Sequence, residues 1–228
     1  MAAKSHKIFP LGDSALTVEF GNVISEELNQ KAITFAAHFD QNTFPGYIES
    51  VPAYASATLF YDPVAVRKNF AEYSTAFDAV KHLAESALEN PASDNAIAPR
   101  LVEIPFHFGD AASPDLEFVA TTNNISMDEV IEIFLAKTYR VYMLGFLPGF
   151  SYMGELDERI ATPRRDTPRT FVPKGSVGIA GSQTGIYSLE SPGGWQIIGR
   201  TDNEMFSPKA SDPCYLRPGD EVRFMAAK

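Results

Sequence analysis

Ten of the chain's 15 glycines fall between Tyr139 and Thr201: Gly145, Gly149, Gly154, Gly175, Gly178, Gly181, Gly185, Gly193, Gly194 and Gly199. Glycine admits backbone angles closed to other residues and lets a second backbone or a ligand approach closely. So dense a set predicts short strands joined by many tight turns, or a surface built for contact. The single tryptophan, Trp195, directly follows Gly193-Gly194. Charge also sets this stretch apart. It holds 7 Lys/Arg against 5 Asp/Glu, a net of +2, while the remainder holds 12 against 24, a net of −12. A mildly basic island in an acidic chain suits an anion, because the arginine fork matches a carboxylate or phosphate. The plainer reading is solvated loop charge.

The formal net charge of −10 argues against nonspecific nucleic-acid binding, which needs a basic face to release counterions. Cys214 is the single cysteine, so no disulfide forms within the chain, and a small packed residue is expected there. The N-terminal residues MAAKSHKIFPLGD lack the apolar run of a secretory signal, and no stretch is long enough to span a membrane. These features together predict a soluble, cytoplasmic protein.

The chain is long enough for one large or two small domains. Ala15–Phe20 has strand character, and Ser25 is placed to cap a helix carrying Leu28, Ala32, Phe35, Ala36 and Phe39. Tyr47–Val51 and Ser56–Tyr61 read as strands, the second ended by Asp62-Pro63, and Ser74–Glu89 reads as a helix. This order describes a small α+β domain over residues 1–92. Residues 90–99, polar with two prolines, form the expected linker, and a β domain follows over 98–228. Within it, Leu101–Phe106 opens as a strand. Ser113-Pro114-Asp115-Leu116 looks like a helix start with proline at the first helical position. Ser126 to Glu129 is a capping box for a helix from Met127 to about Lys137. Arg140–Leu144 resumes the strands, which close with Glu221–Phe224.

Several chemistries have no signature here. There is no Walker-type or dinucleotide-binding glycine loop and no nucleophile elbow, and the four histidines are scattered without metal-ligand spacing. Three segments remain. Pro163-Arg164-Arg165 and Pro168-Arg169 put cations on stiff loop segments. Ser191-Pro192-Gly193-Gly194-Trp195, with Arg200 after a short strand, offers backbone donors beside an aromatic; the plainer reading is a turn whose tryptophan fills the core. Gly145-Phe146-Leu147-Pro148-Gly149-Phe150 is an apolar loop of the kind that marks pockets or interfaces, or a simple strand connection.

The runs YRVYMLGFLPGFSYMG, PRRDTPR, VPKGSVGIAGSQTGIY and SPGGWQIIGRT, in this order, with IFPLGDSALTVEFG at the start, resemble the B-type subunits of the 5-oxoprolinase family. That family is also described as allophanate hydrolase subunit 1-like and includes KipI-type kinase inhibitors. The resemblance implies an α+β fold, with a small N-terminal α/β sandwich-type domain and a C-terminal cyclophilin-like β-barrel. It implies ATP-dependent opening of 5-oxoproline to glutamate. The implied partners are a C-type subunit (KipA-like, or allophanate hydrolase subunit 2-like) and an A-type subunit that is LamB/YcsF-like. Because the chain ends at Lys228, soon after the β domain, the C-type partner is expected in trans. The alternative role is inhibition of a sensor histidine kinase, or an allophanate hydrolase-related subunit. Residue chemistry at these motif positions makes Arg169 and Arg200 the expected catalytic cations. Arg164, Gln183, Tyr187, Gly193, Gly194 and Trp195 become substrate-binding residues, and Phe146, Pro148 and Phe150 line the pocket or the partner interface. ATP is expected to be shared with the partner, and no metal site is implied. Where the family commonly carries a histidine, before the Tyr-x-Val-Tyr strand, this chain has Phe134.

Overall fold

The structure, a computed structural model, describes residues 6–89 and 99–227, so the expected linker lies almost wholly outside the described residues. The chain divides into two compact units, residues 1–98 and 99–228. In the first, β1 (Lys7–Pro10), β2 (Ala15–Glu19), β3 (Tyr47–Pro52) and β4 (Ser56–Tyr61) form an antiparallel sheet in the order β1-β2-β4-β3. Ala57, Leu59 and Tyr61 of β4 are buried and alternate with half-buried neighbours, the pattern of a sheet with one covered face. The cover is α1 (Glu26–Gln41) and α3 (Ala76–Glu89). Ser25 Oγ accepts from the Leu28 N–H at 3.1 Å, and Ala32, Phe35, Ala36 and Phe39 line the inward stripe of α1.

Asp62-Pro63 ends β4, and it also starts a helix that the apolar pattern does not announce, α2 (Pro63–Asn69). Asp62 Oδ1 accepts from the Val64 and Ala65 N–H groups at 2.8 and 3.2 Å, and Pro63 takes the first helical position. Only Val66 of this helix is buried, too little for an apolar period to register.

In the second unit β5 (Leu101–Phe106) is followed by α4 (Leu116–Asn123) and α5 (Met127–Leu135). The capping box forms as expected: Ser126 Oγ accepts from the Glu129 N–H, and the Glu129 carboxylate accepts from the Ser126 N–H. The strands that follow are β6 (Thr138–Leu144), β7 (Ser151–Met153), β8 (Arg169–Val172), β9 (Ser176–Ala180), β10 (Gln183–Ile186), β11 (Ser191–Gly193), β12 (Gln196–Arg200) and β13 (Glu221–Ala226). Seven of the described strands form one mixed sheet ordered β12-β9-β10-β7-β6-β13-β5, and β8 and β11 form a separate ribbon. The large sheet curls into a half-barrel. His107, just beyond β5, makes an isolated antiparallel bridge to Arg200 at the end of β12, so the two edges of the curled sheet touch at that end.

The concave side holds the main core, including Ile104, Val141, Ile179, Ile186, Ile198 and Phe224. Phe134 is fully buried there, its ring 4.9 Å from Phe224, 5.1 Å from Tyr139 and 5.2 Å from Phe106. At this position the side chain is packing, walled in by other rings.

Candidate functional site

Along β12 the side chains alternate between two cores. Ile198 faces the main core, whereas Trp195 and Ile197 join Phe150, Val172, Ala180 and Tyr187 in a smaller one on the opposite face of the sheet. Trp195 is buried, with its ring edge-on to Phe150 at 5.5 Å and to Tyr152 at 5.9 Å. Tyr187 is edge-on to Phe150 at 5.2 Å. Glycines make this packing possible. A Cβ on Gly193 would lie 2.3 Å from the Tyr187 hydroxyl oxygen, and one on Gly178 would lie 3.0 Å from Trp195 Cβ. Burial pushes the Tyr187 phenol upward, while the Trp195 backbone N–H and the charges of Arg164 and Arg169 pull it down.

The apolar loop closes one side. Leu147 N–H donates to Gly145 O and Phe150 N–H to Leu147 O, a tight double turn. Gly149, at φ 75°, is required there, because a Cβ would stand 2.8 Å from Met205 O. Phe146 has φ 66°, a left-handed conformation disfavoured for a bulky side chain, yet the residue is 61% exposed. It rests edge-on against Phe150 and Tyr187 at 5.5 and 6.4 Å. Pro148 is exposed beside it, and Phe150 is buried.

The loop from Pro163 to Arg169 forms the polar side. Arg164 is exposed and stands over the Trp195 ring, its guanidinium carbon 5.8 Å from the centroid. Arg165 and Arg169 both donate to one oxygen of Asp115, at 3.0 and 2.6 Å, and the other oxygen accepts from the Ile197 N–H at 2.6 Å. Asp115 is 3% exposed. The helix start expected at Ser113-Pro114-Asp115 is therefore displaced. The helix begins at Leu116, Pro114 lies outside it, and the Asp115 side chain caps nothing because it is turned toward the arginines. Gly194 O accepts from the Arg165 N–H, and Gln196 Nε2 donates to Pro163 O, which tie this loop to the start of β12.

Some expected site residues lie elsewhere. Arg200 ends β12, five residues from Trp195 or about 16 Å of extended chain. It is exposed and donates to Asp202 at 2.7 Å, beside a His107–Asp202 pair at 3.3 Å. Gln183 shares a face of β10 with Tyr187 by strand parity but opens the strand that Tyr187 follows, about 13 Å away along it. Gly193 and Gly194 are at the aromatic cluster. Asp115 and Gln196 were not singled out from sequence. An aspartate ahead of a helix reads as a cap, and a glutamine inside a strand carries no pattern. Arg165 was read with its neighbours on the stiff loop but, unlike Arg164, was given no role in the site.

Cys214 is half-buried, and burial raises its thiol above the ordinary value, which keeps it protonated near neutrality. Among the described residues no group of three or more His, Cys, Asp or Glu is arranged to hold a metal ion, and no helix is long and apolar enough to cross a membrane.

The family model described as carboxyltransferase domain, subdomain C and D, matches residues 6–216. A protein named as the B subunit of 5-oxoprolinase, from Bacillus subtilis (strain 168), is 45% identical over 221 residues, covering 96% of this chain and 92% of its own. The crystal structure of TTHA0988 superposes with a TM-score of 0.80 at 34% identity, covering 94% of this chain; this chain spans 40% of that one. The K. lactis urea amidolyase superposes with a TM-score of 0.75 over 97% of this chain and 15% of its own, at 20% identity, a likeness of fold.

Proposed function

The chain belongs to the family of the carboxyltransferase domain, subdomain C and D, which takes in proteins named as the 5-oxoprolinase B subunit, and on that premise we propose that it is the B-type component of an ATP-dependent 5-oxoprolinase-like amidohydrolase. The observation that carries this reading is the arginine loop at Trp195, with two guanidiniums fixed on one buried carboxylate and a third standing over the indole. A lactam is a stabilised amide, and its opening drives negative charge onto the carbonyl oxygen. Cations already held in place stabilise that charge without reorganising at the moment of reaction. Arg164 and Arg169 are the proposed anion-facing residues. Trp195, Tyr187 and Phe150 form the wall that excludes water, and the backbone of Gly193-Gly194 supplies close approach.

ATP supplies the activation of the lactam oxygen in this reading. The loop and its contacts hold three arginines (164, 165, 169) against two acidic residues, Asp115 and Asp166, a surplus of one positive charge. That fits one carboxylate better than a whole triphosphate, so the nucleotide is proposed to be held jointly with a C-type (KipA-like) partner. Phe146, left-handed and exposed next to Pro148, is the proposed point of docking for that partner. An A-type component of the LamB/YcsF-like kind completes the proposed assembly, in the cytoplasm.

The test is co-expression with the KipA-like homologue, followed by size-exclusion chromatography and ATP hydrolysis with and without 5-oxo-L-proline. A stable complex with lactam-stimulated hydrolysis is expected, and Arg164→Ala and Arg169→Ala lower its turnover. Unchanged turnover in both variants refutes the anion-facing assignment. Absence of any complex refutes the subunit role and favours a regulatory binding protein.

A further inference from the structure

Among the described residues, Arg165 Nε and Arg169 Nη1, on the two guanidiniums that Asp115 holds, and Gln196 Oε1, on the residue before the Asp115-bound Ile197 N–H, are buried without a hydrogen-bond partner. Buried polar atoms are almost always partnered, so each such atom asks for an explanation. These three belong to one tied assembly. Both guanidiniums sit on the same Asp115 oxygen, which puts Arg165 Nε and Arg169 Nη1 each within about 5 Å of it by the fixed width of the guanidinium fork. Gln196 adjoins Ile197, whose N–H is bound to Asp115, and its amide nitrogen holds Pro163 O, two residues before Arg165. Gln196 itself is 2% exposed. Its carbonyl oxygen can only accept, and the two arginine nitrogens can only donate.

The geometry points to a ligand of matching chemistry: a small monoanion that accepts from the arginines and carries an N–H for Gln196. Two guanidiniums against one carboxylate leave one positive charge, which sets the ligand's charge at minus one. A carboxylate whose neighbouring atom bears an amide N–H meets all three demands, and 5-oxo-L-proline is such a molecule. Resting on the 5-oxoprolinase reading, this assignment makes Arg165 and Arg169 the carboxylate clamp and Gln196 the residue that selects a lactam over a lactone. Asp115 becomes a positioning residue, which aims the free donors by occupying the others. Arg165 and Arg169 keep 36% and 23% of their side-chain surface exposed, so the Pro163–Arg169 loop is the side from which a ligand reaches the buried atoms.

Trp195, the single tryptophan, packs at this loop and reports on it. The full chain, alone and co-purified with its KipA-like homologue, is titrated by Trp195 fluorescence and by calorimetry. Three probes are used: 5-oxo-L-proline; 2-pyrrolidinone, which lacks the carboxylate; and 5-oxotetrahydrofuran-2-carboxylate, a lactone that lacks the N–H. Saturable binding of 5-oxo-L-proline is expected, tenfold or more weaker for each analogue. Arg165→Lys, which keeps the charge and removes Nε, weakens the lactam acid at least tenfold with the melting temperature retained. Gln196→Met brings lactam acid and lactone acid to equal affinity. If that variant does not fold, Arg165→Lys and the wild-type probe series decide alone. Equal binding of lactone and lactam acids by the wild type overturns the role of Gln196. No saturable binding in either sample, by either method, overturns the site and leaves its three atoms to internal water. Lactam-stimulated ATP hydrolysis that Arg165→Lys leaves unchanged sinks this site while sparing the 5-oxoprolinase reading. Binding as expected in a complex that never hydrolyses ATP does the reverse.

Discussion

Replacing Asp115 with alanine removes a carboxylate that holds Arg165, Arg169 and the Ile197 N–H at 3.0, 2.6 and 2.6 Å. Breaking a buried ion pair by deleting one partner costs about 3–5 kcal/mol, because the other charge is left uncompensated. Arg169 fits that case, while Arg165 is a third exposed and adds little after solvent screening. The orphaned Ile197 N–H adds about 1 kcal/mol. The expected loss is about 4–6 kcal/mol, comparable with the total stability of many domains. Urea unfolding followed by Trp195 emission reads it, and since the first unit contains no tryptophan, the signal belongs to the second unit. Asp115→Asn keeps an acceptor and loses the charge, so a loss of about 2 kcal/mol is expected. The diagnostic variant is Asp115→Ala combined with Arg169→Met. If the cost lies in an unpaired guanidinium, this double variant is more stable than Asp115→Ala alone. An Asp115→Ala protein within about 1 kcal/mol of wild type, or a double variant less stable than the single, refutes the reasoning.

Gly175 lies at φ 81°, and a Cβ there would stand 2.2 Å from Thr201 O, a backbone atom with no freedom to move aside. Gly175→Ala is expected to lower the urea midpoint by an amount equivalent to about 3 kcal/mol, combining left-handed strain with the clash. Phe146→Gly relieves about 1–2 kcal/mol of left-handed strain and forfeits about the same in ring contacts. Stability is therefore expected to hold while binding of the KipA-like partner weakens at least tenfold; retained binding removes Phe146 from the interface. Burial and the Asp40 carboxylate push Tyr47 up to about 12. Its folded value is raised, so its contribution is complete below the ordinary value of 10.0 and is lost as pH climbs towards 12. A phenolate absorbance titration should find Tyr47 absent from the early transition together with Tyr61, Tyr139 and Tyr187, which burial also raises, and Tyr47→Phe should flatten the alkaline decline in stability.

Elements with a local cause were legible in the chain. The capping box at Ser126–Glu129, the Ser25 cap and the apolar stripe of α1 each depend on residues within a few positions of one another, and each formed as expected. The glycine-dense stretch told of strands and tight turns for the same reason, since a turn needing φ near 75° at Gly149 is a local demand. The resemblance carried the fold class, and two of the residues it named, Arg164 and Trp195, stand together in the structure.

What only the tertiary structure decided was which side chains meet. Asp115 reads as a helix cap because its neighbours allow it, yet residues 50 and 54 positions later claim its carboxylate. Arg164 and Arg165 are adjacent and chemically identical. One turns outward over an indole, the other is tied to a buried acid, and the backbone bond from Arg165 to Gly194 is among the contacts that separate them. Arg200 belongs to the same motif as Trp195, but a strand advances about 3.3 Å per residue, so five residues carry it to the other end of β12 and to Asp202. Sequence records the order of groups along a chain. The charge balance of a site is set by groups that the folded sheet brings side by side, and no local pattern encodes that.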